Sequence, residues 1–106
     1  MTVYNKLVRD KIPELIRQQG QNPILRILED EEYTKCLEQK LDEEVAEYHR
    51  DRNLEELADI LEVVFALAED LGASRELLMK VYQAKHDERG GFADRLFLIA
   101  KEDFCL

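Results

Sequence analysis

Glu43-Glu44-Val45-Ala46-Glu47-Tyr48-His49-Arg50-Asp51-Arg52-Asn53-Leu54-Glu55-Glu56-Leu57-Ala58-Asp59 decides the fold. It holds an E-x-x-E, Glu44 and Glu47, and an E-x-x-D, Glu56 and Asp59. The two pairs are mirror images about a point between Asp51 and Arg52. The polar run Arg50-Asp51-Arg52-Asn53 between them reads as a tight turn. If the flanks are antiparallel helices, Glu44 faces Asp59 at one level and Glu47 faces Glu56 one turn away. Spacing of three keeps each pair on one face of its helix. Four carboxylates converging between two helices suit a hard divalent cation, and such a site handles phosphates.

Periodicity extends both flanks into long helices. The first is predicted from about Glu31 to His49, with the apolar stripe Tyr33, Leu37, Leu41, Val45 and Tyr48. The second is predicted from about Leu54 to Leu71. Leu54, Leu57, Leu61, Val64, Ala68 and Leu71 mark one face, and Ile60, Phe65 and Leu67 widen it. A helix apolar over most of its circumference belongs at the centre of the molecule. Gly72 ends it as a C-terminal cap. Ser74 caps a third long helix, with Glu76 in its first turn. That helix carries Leu77, Leu78, Val81, Tyr82, Lys85 and Arg89, and Gly90-Gly91 breaks it.

The ends of the chain are less regular. Asp10 is placed to cap a short helix with Pro13 in its first turn, where proline is tolerated, and Gly20 stops it. Ile24 to Leu28 is a short apolar run bounded by turn residues and reads as a strand. Arg95 to Ala100 reads as a helix end or as a strand that pairs with it. The expected class is therefore all-α, an antiparallel helical bundle with a short two-stranded β element.

At 106 residues the sequence forms one domain, residues 1–106. A helical hairpin of this size encloses little core alone, so a homodimer or homotetramer is expected, with helices packed across the boundary. The formal charge of −9 argues against DNA or RNA polymers as partners. It leaves nucleotides open, because bound metal reverses the local charge. Leu57 to Leu71, the longest greasy segment, contains Asp59, Glu62, Glu69 and Asp70, so no membrane partner is expected. Lys6, Arg9, Asp10 and Lys11 interrupt any signal-like stretch. Cys36 and Cys105 read as reduced thiols, and the expected location is cytoplasmic.

Carboxylates on helices are ordinarily solvated. Glu56 and Asp59 lie on the same polar arc as Glu55 and Glu62. Glu44 is different, because it falls inside the apolar stripe between Leu41 and Tyr48. A charge there is costly unless a metal or a basic neighbour compensates. Glu47 sits at the edge of that stripe, beside Lys40. All-oxygen ligands favour Mg²⁺, with Mn²⁺ as its substitute, over Zn²⁺. A di-iron carboxylate bundle would need Glu-x-x-His. Ala46 and Gln83 stand three residues before His49 and His86, which rules against it. For phosphate, Lys85 and Arg89 share a helix face one turn apart, and Lys6, Arg9 and Lys11 form a second basic cluster. No GxxxxGK[ST] occurs.

With these residues in view, the chain resembles the MazG-like, all-α nucleoside triphosphate pyrophosphohydrolases, whose fold is shared with phosphoribosyl-ATP pyrophosphohydrolase. Lys40 to Glu47 and Glu55 to Leu61 fit the family's ExxE…ExxD signature. Tyr4 to Pro13 is similar to the start of its short, single-domain members, and Lys85 to Phe92 to their K…RGGF segment. The resemblance implies hydrolysis of a nucleotide to its monophosphate and pyrophosphate. It implies that Glu44, Glu47, Glu56 and Asp59 hold Mg²⁺, and that one of them, or Glu43, activates the attacking water. The residues proposed for catalysis are accordingly Glu43, Glu44 and Glu47, and those for substrate binding Lys85, Arg89, Lys6 and Arg9. Gln83 stands where several members carry Asn. Phosphoribosyl-ATP is the alternative substrate. A non-catalytic acidic helical module that binds a partner is the alternative outside enzymes.

Overall fold

The structure, a computed structural model, describes residues 1–103. Cys105 lies outside the described residues. Four helices follow in chain order: α1 (Ile12–Gln18), α2 (Asp30–Asp51), α3 (Leu54–Asp70) and α4 (Arg75–Arg89). The chain is all-α among the described residues, with no strand. No helix of the described residues is long and apolar enough to cross a membrane.

The turn between α2 and α3 is tighter than its four polar residues suggest. Helix α2 continues through Asp51, and the reversal falls on Arg52 and Asn53 alone. Arg52 takes a left-handed conformation (φ 46°, ψ 52°), and its N–H donates to the Tyr48 carbonyl at 2.8 Å. Asn53 then caps α3, its side chain accepting from the Glu56 N–H at 2.9 Å. Such a cap satisfies one of the orphan donors of the first turn.

Helix α3 packs against α2 and, less extensively, against α4, so it is the central helix. The buried apolar residues are Leu37 on α2 and Val63, Phe65 and Ala68 on α3. Val63 lies one turn beyond Asp59 on the side that faces α2. Phe65 points elsewhere and carries the Arg75 guanidinium 3.9 Å from its ring centroid, which holds the start of α4. At the end of α3 the Ala73 and Gly72 N–H groups return to the Ala68 and Glu69 carbonyls, both at 2.9 Å. This six-to-one and five-to-two pattern needs a left-handed residue at Gly72 (φ 88°). Ser74 caps α4 by accepting from the Leu77 N–H at 3.1 Å.

Three expectations need correction. Helix α1 is not capped by Asp10. Lys11 occupies the N-cap without a side-chain bond, and Pro13 sits in the first turn as expected. The two-stranded β element is absent among the described residues. Arg26 forms a two-pronged bond to Glu32 at 2.8 and 2.7 Å, which ties residues 24–28 back to the start of α2. Arg95 has φ 58° and closes a turn onto the Phe92 carbonyl, which breaks the second run at its first residue. The apolar face expected on α3 is covered only in part, with Ala68 and Phe65 buried and Val64 half-buried. Leu54, Leu57, Leu61 and Leu71 are exposed, while the side turned to α2 carries Glu56, Asp59 and Val63.

Candidate metal centre

The α2–α3 hairpin brings Glu44, Glu47, Glu56 and Asp59 together. One carboxylate oxygen from each lies within 4.8 Å of the others. The mirrored spacing does this geometrically. Residues three apart on each helix stack on one face, and the two-residue turn sets those faces at matching heights. Glu56 and Asp59 are half-buried, whereas Glu55 and Glu62 are exposed. Contact with α2 therefore splits the polar arc that all four share by periodicity.

Glu44 is the one buried charged residue among the described residues, 7% exposed. Lys40, one turn earlier, places its Nζ 3.5 Å from Glu44 Oε1 and 3.7 Å from Glu43 Oε1. The lysine thus serves Glu43 and Glu44, not Glu47, as the i,i+3 and i,i+4 spacings would suggest. Glu44 Oε2 and Glu56 Oε2 are buried with no hydrogen-bond partner. Orphaned carboxylate oxygens away from water are expensive.

The electrostatics register this cost as raised pKa values. Burial pushes the Glu44 carboxyl up, and the neighbouring Glu47 carboxylate adds to it. Lys40 opposes the shift, and Asp59 adds a smaller push upward. Glu56 is raised in the same way, by burial first and then by Glu47, Asp59 and Asp51. Two groups held above the ordinary carboxyl value, within a set of four, mark a site short of positive charge.

The cluster fits a hard cation. Its ligand atoms are all oxygens, and two of them lack any partner. An octahedral Mg²⁺ shell spans about 4.2 Å between opposite ligands and a Ca²⁺ shell about 5 Å. The span of 4.8 Å lies between them. The acidic cluster could hold a metal ion.

The other candidate residues are placed less centrally. Glu43 lies outside the group of four, its carboxylate turned to Lys40. Arg9 reaches the cluster, its Nη2 donating to Asp59 Oδ1 at 3.0 Å. Lys6 instead lies 5.9 Å from the Tyr4 ring centroid. Lys85 and Arg89 are exposed on α4 and are not among the charges acting on Glu44 or Glu56. His49 and His86 pack edge-on and stacked against Tyr48 and Tyr82, respectively, and take no part in the cluster.

No family model matches the chain, and no solved structure matches it. An uncharacterized protein of Mycolicibacterium smegmatis is 62% identical over 42 residues, which make up 40% of this chain and 43% of that protein. The match therefore spans less than half of the relative's length.

The pairings Lys40–Glu44 and Arg9–Asp59 are the contacts that sequence reasoning did not assign. The Lys40–Glu44 pair has a local signal, lysine and glutamate four apart on a helix. The Arg9–Asp59 pair joins residues fifty positions apart and leaves no local signal.

Proposed function

We propose that this protein is a Mg²⁺-dependent nucleotide pyrophosphohydrolase of the MazG-like kind. The observation that carries the proposal is the buried Glu44 carboxylate, with an unpartnered oxygen, meeting three other carboxylates between two antiparallel helices. The resemblance of the Tyr4–Pro13, Lys40–Glu47, Glu55–Leu61 and Lys85–Phe92 segments, in that order, to those of the family supports the reading.

Glu44, Glu47, Glu56 and Asp59 would hold the cation, which when bound offsets phosphate charge and lowers the pKa of a coordinated water. The chain's own residues supply the rest. A carboxylate of the cluster accepts the proton of the attacking water. The water oxygen joins phosphorus as the bridging P–O bond between the α- and β-phosphates breaks, which yields a nucleoside monophosphate and pyrophosphate. Arg9, which reaches the cluster, is the cation placed for the charge on the departing pyrophosphate, and Lys6, Lys85 and Arg89 would join it in the assembled oligomer. Phosphoribosyl-ATP is the second candidate substrate on the same resemblance.

In this proposal the active form is a homo-oligomer. The radius of gyration is 19.4 Å, against about 13 Å for a compact chain of this size. Leu54, Leu57 and Leu61 form an exposed apolar stripe on α3, and Leu77, Val81 and Tyr82 are exposed on α4. A second copy covering these faces would bring further basic residues within reach of the acidic cluster.

The test is a panel of NTPs, dNTPs and phosphoribosyl-ATP incubated with protein and Mg²⁺. Pyrophosphate release from at least one substrate is expected. Release of orthophosphate, or turnover of none, overturns the proposal.

A further inference from the structure

The acidic cluster meets a cation that comes from neither of its helices. Arg9 lies ahead of α1, in a stretch without regular structure, and its guanidinium donates to Asp59 Oδ1 at 3.0 Å. The side chains of Arg9 and Asp59 are 55% and 39% exposed, so the pair lies at the mouth of the cluster. Glu44 lies deeper and is served by Lys40 from its own helix. The two cations thus differ in kind. Lys40 is built into α2 at fixed helical spacing. Arg9 reaches in on a strap joined to α1 by the Arg9 carbonyl, which accepts from the Ile12 N–H at 3.0 Å, and by the Lys11 carbonyl, which accepts from the Leu15 N–H at 3.2 Å.

The Asp59 carboxylate faces two uses. It is one of the four acids a cation would draw on, and its Oδ1 accepts a single bond from Arg9 Nη2. An ammonium or guanidinium on a ligand carboxylate competes with a metal for its negative charge. An exposed ion pair of this kind is weak, which makes it easy to exchange. A guanidinium released beside a metal–phosphate complex has an obvious destination, because its planar fork matches phosphate oxygens as well as carboxylate oxygens.

We propose that Arg9 is an exchange cation: it holds Asp59 while the cluster lacks metal, and turns onto a phosphate of the ligand once a divalent cation takes Asp59. The inference rests on the metal-site reading above and goes beyond it. It makes Arg9 a ligand-binding residue that opposes metal alone and favours metal arriving with phosphate. The mouth of the cluster would therefore discriminate a metal-bound nucleotide from free metal.

The experiment measures Mn²⁺ binding by electron paramagnetic resonance and calorimetry, on the full chain, with and without an α,β-methylene nucleoside triphosphate that is not cleaved. Wild type, Arg9→Ala and Arg9→Lys are compared, with Glu44→Gln as the control for the site. Without nucleotide, Arg9→Ala should bind Mn²⁺ about two- to fivefold more tightly, the size of an exposed ion pair removed. With nucleotide, the same variant should bind the Mn²⁺ complex about tenfold or more weakly, the size of a charge-assisted bond lost. Arg9→Lys keeps the charge but not the fork and should fall between on both readouts. Opposite signs on the two readouts are the signature. Arg9→Ala effects that are absent, or of the same sign in both, overturn the exchange while leaving the metal site standing. Failure of wild type to bind Mn²⁺, or unchanged binding in Glu44→Gln, overturns the metal site itself and the exchange with it.

Discussion

The Asn53 side chain accepts from the Glu56 N–H at 2.9 Å, so the residue that starts α3 also sets the height at which Glu56 meets α2. The cap and the acidic cluster share a backbone. Removing the cap should therefore disturb both. Asn53→Ala is expected to destabilise the fold by about 1 kcal/mol, the usual cost of a lost N-cap. It should also weaken divalent-cation binding, because the first turn of α3 carries Glu56. Denaturant melts with and without Mn²⁺ read the two effects. A variant that loses stability but keeps full Mn²⁺ affinity would show that the cap does not position the ligand.

Glu44→Gln preserves shape and removes the buried charge. In the metal-free protein at neutral pH it should stabilise the fold, since the native carboxylate is buried with one oxygen unpartnered. Even outer-shell partners of metal sites cost about 10–100-fold in affinity when removed, so loss of a ligand should cost at least that. Turnover should vanish with it. A more stable variant that kept full activity would instead support an acidic interaction module in which Glu44 is only a burden.

The pH dependence follows from the same carboxyls, and its sign is fixed. Burial raises Glu44 and Glu56 above the ordinary value of 4.5. Between that value and the raised one, the folded protein holds more protons than the unfolded chain. Stability from these groups is full below 4.5 and is lost as pH rises through the raised values. Metal-free wild type should thus lose stability relative to Glu44→Gln as pH climbs from the ordinary value toward neutrality. Metal affinity should run the other way and increase with pH, because cation and proton compete for the same oxygens. Thermal melts of both proteins across that range, with chelator and with Mg²⁺, test the pair of slopes. Parallel curves for the two proteins would remove Glu44 from the account.

Bound metal should also be visible as stability. A cation that binds only the folded chain contributes about 2.7 kcal/mol at a free concentration one hundred times its Kd. Mg²⁺ or Mn²⁺ should raise the melting temperature and EDTA should reverse it. Glu44→Gln should show neither response.

Much of this arrangement is legible in the order of residues, and the rest fails for identifiable reasons. The α2–α3 hairpin follows from two long 3.6-residue periods, and Glu44 stands out because it interrupts an apolar stripe. Glu56 and Asp59 do not stand out, since one helix alone cannot say which part of its polar arc a neighbour covers. The face of α3 was harder still. A helix apolar nearly all round has no preferred side, and in the structure it presents Glu56 and Asp59 to α2 while Leu57 and Leu61 stay exposed. Ile24–Leu28 and Arg95–Ala100 have strand-like composition. Pairing is a non-local property, and the Arg26–Glu32 bond and the left-handed Arg95 decide against it. The Arg9–Asp59 bond is non-local as well.

The two-residue turn offers a test of the hairpin itself. Arg52 holds a left-handed conformation at φ 46°, where its Cβ crowds the backbone. That conformation costs a non-glycine residue about 1–2 kcal/mol. Glycine removes the crowding but gives up more entropy on folding, so Arg52→Gly should gain about 0.5–1 kcal/mol net. The Arg52 N–H to Tyr48 carbonyl bond at 2.8 Å uses only backbone and survives the change. Arg52→Val, with a β-branched side chain at the same φ, should lose stability instead. Because the turn sets the register of Glu44 against Asp59 and of Glu47 against Glu56, the glycine variant should keep Mn²⁺ affinity while the valine variant weakens it. Denaturant melts and Mn²⁺ titrations of both give the comparison. A glycine variant less stable than wild type would mean that the turn does not hold Arg52 in the left-handed region in solution.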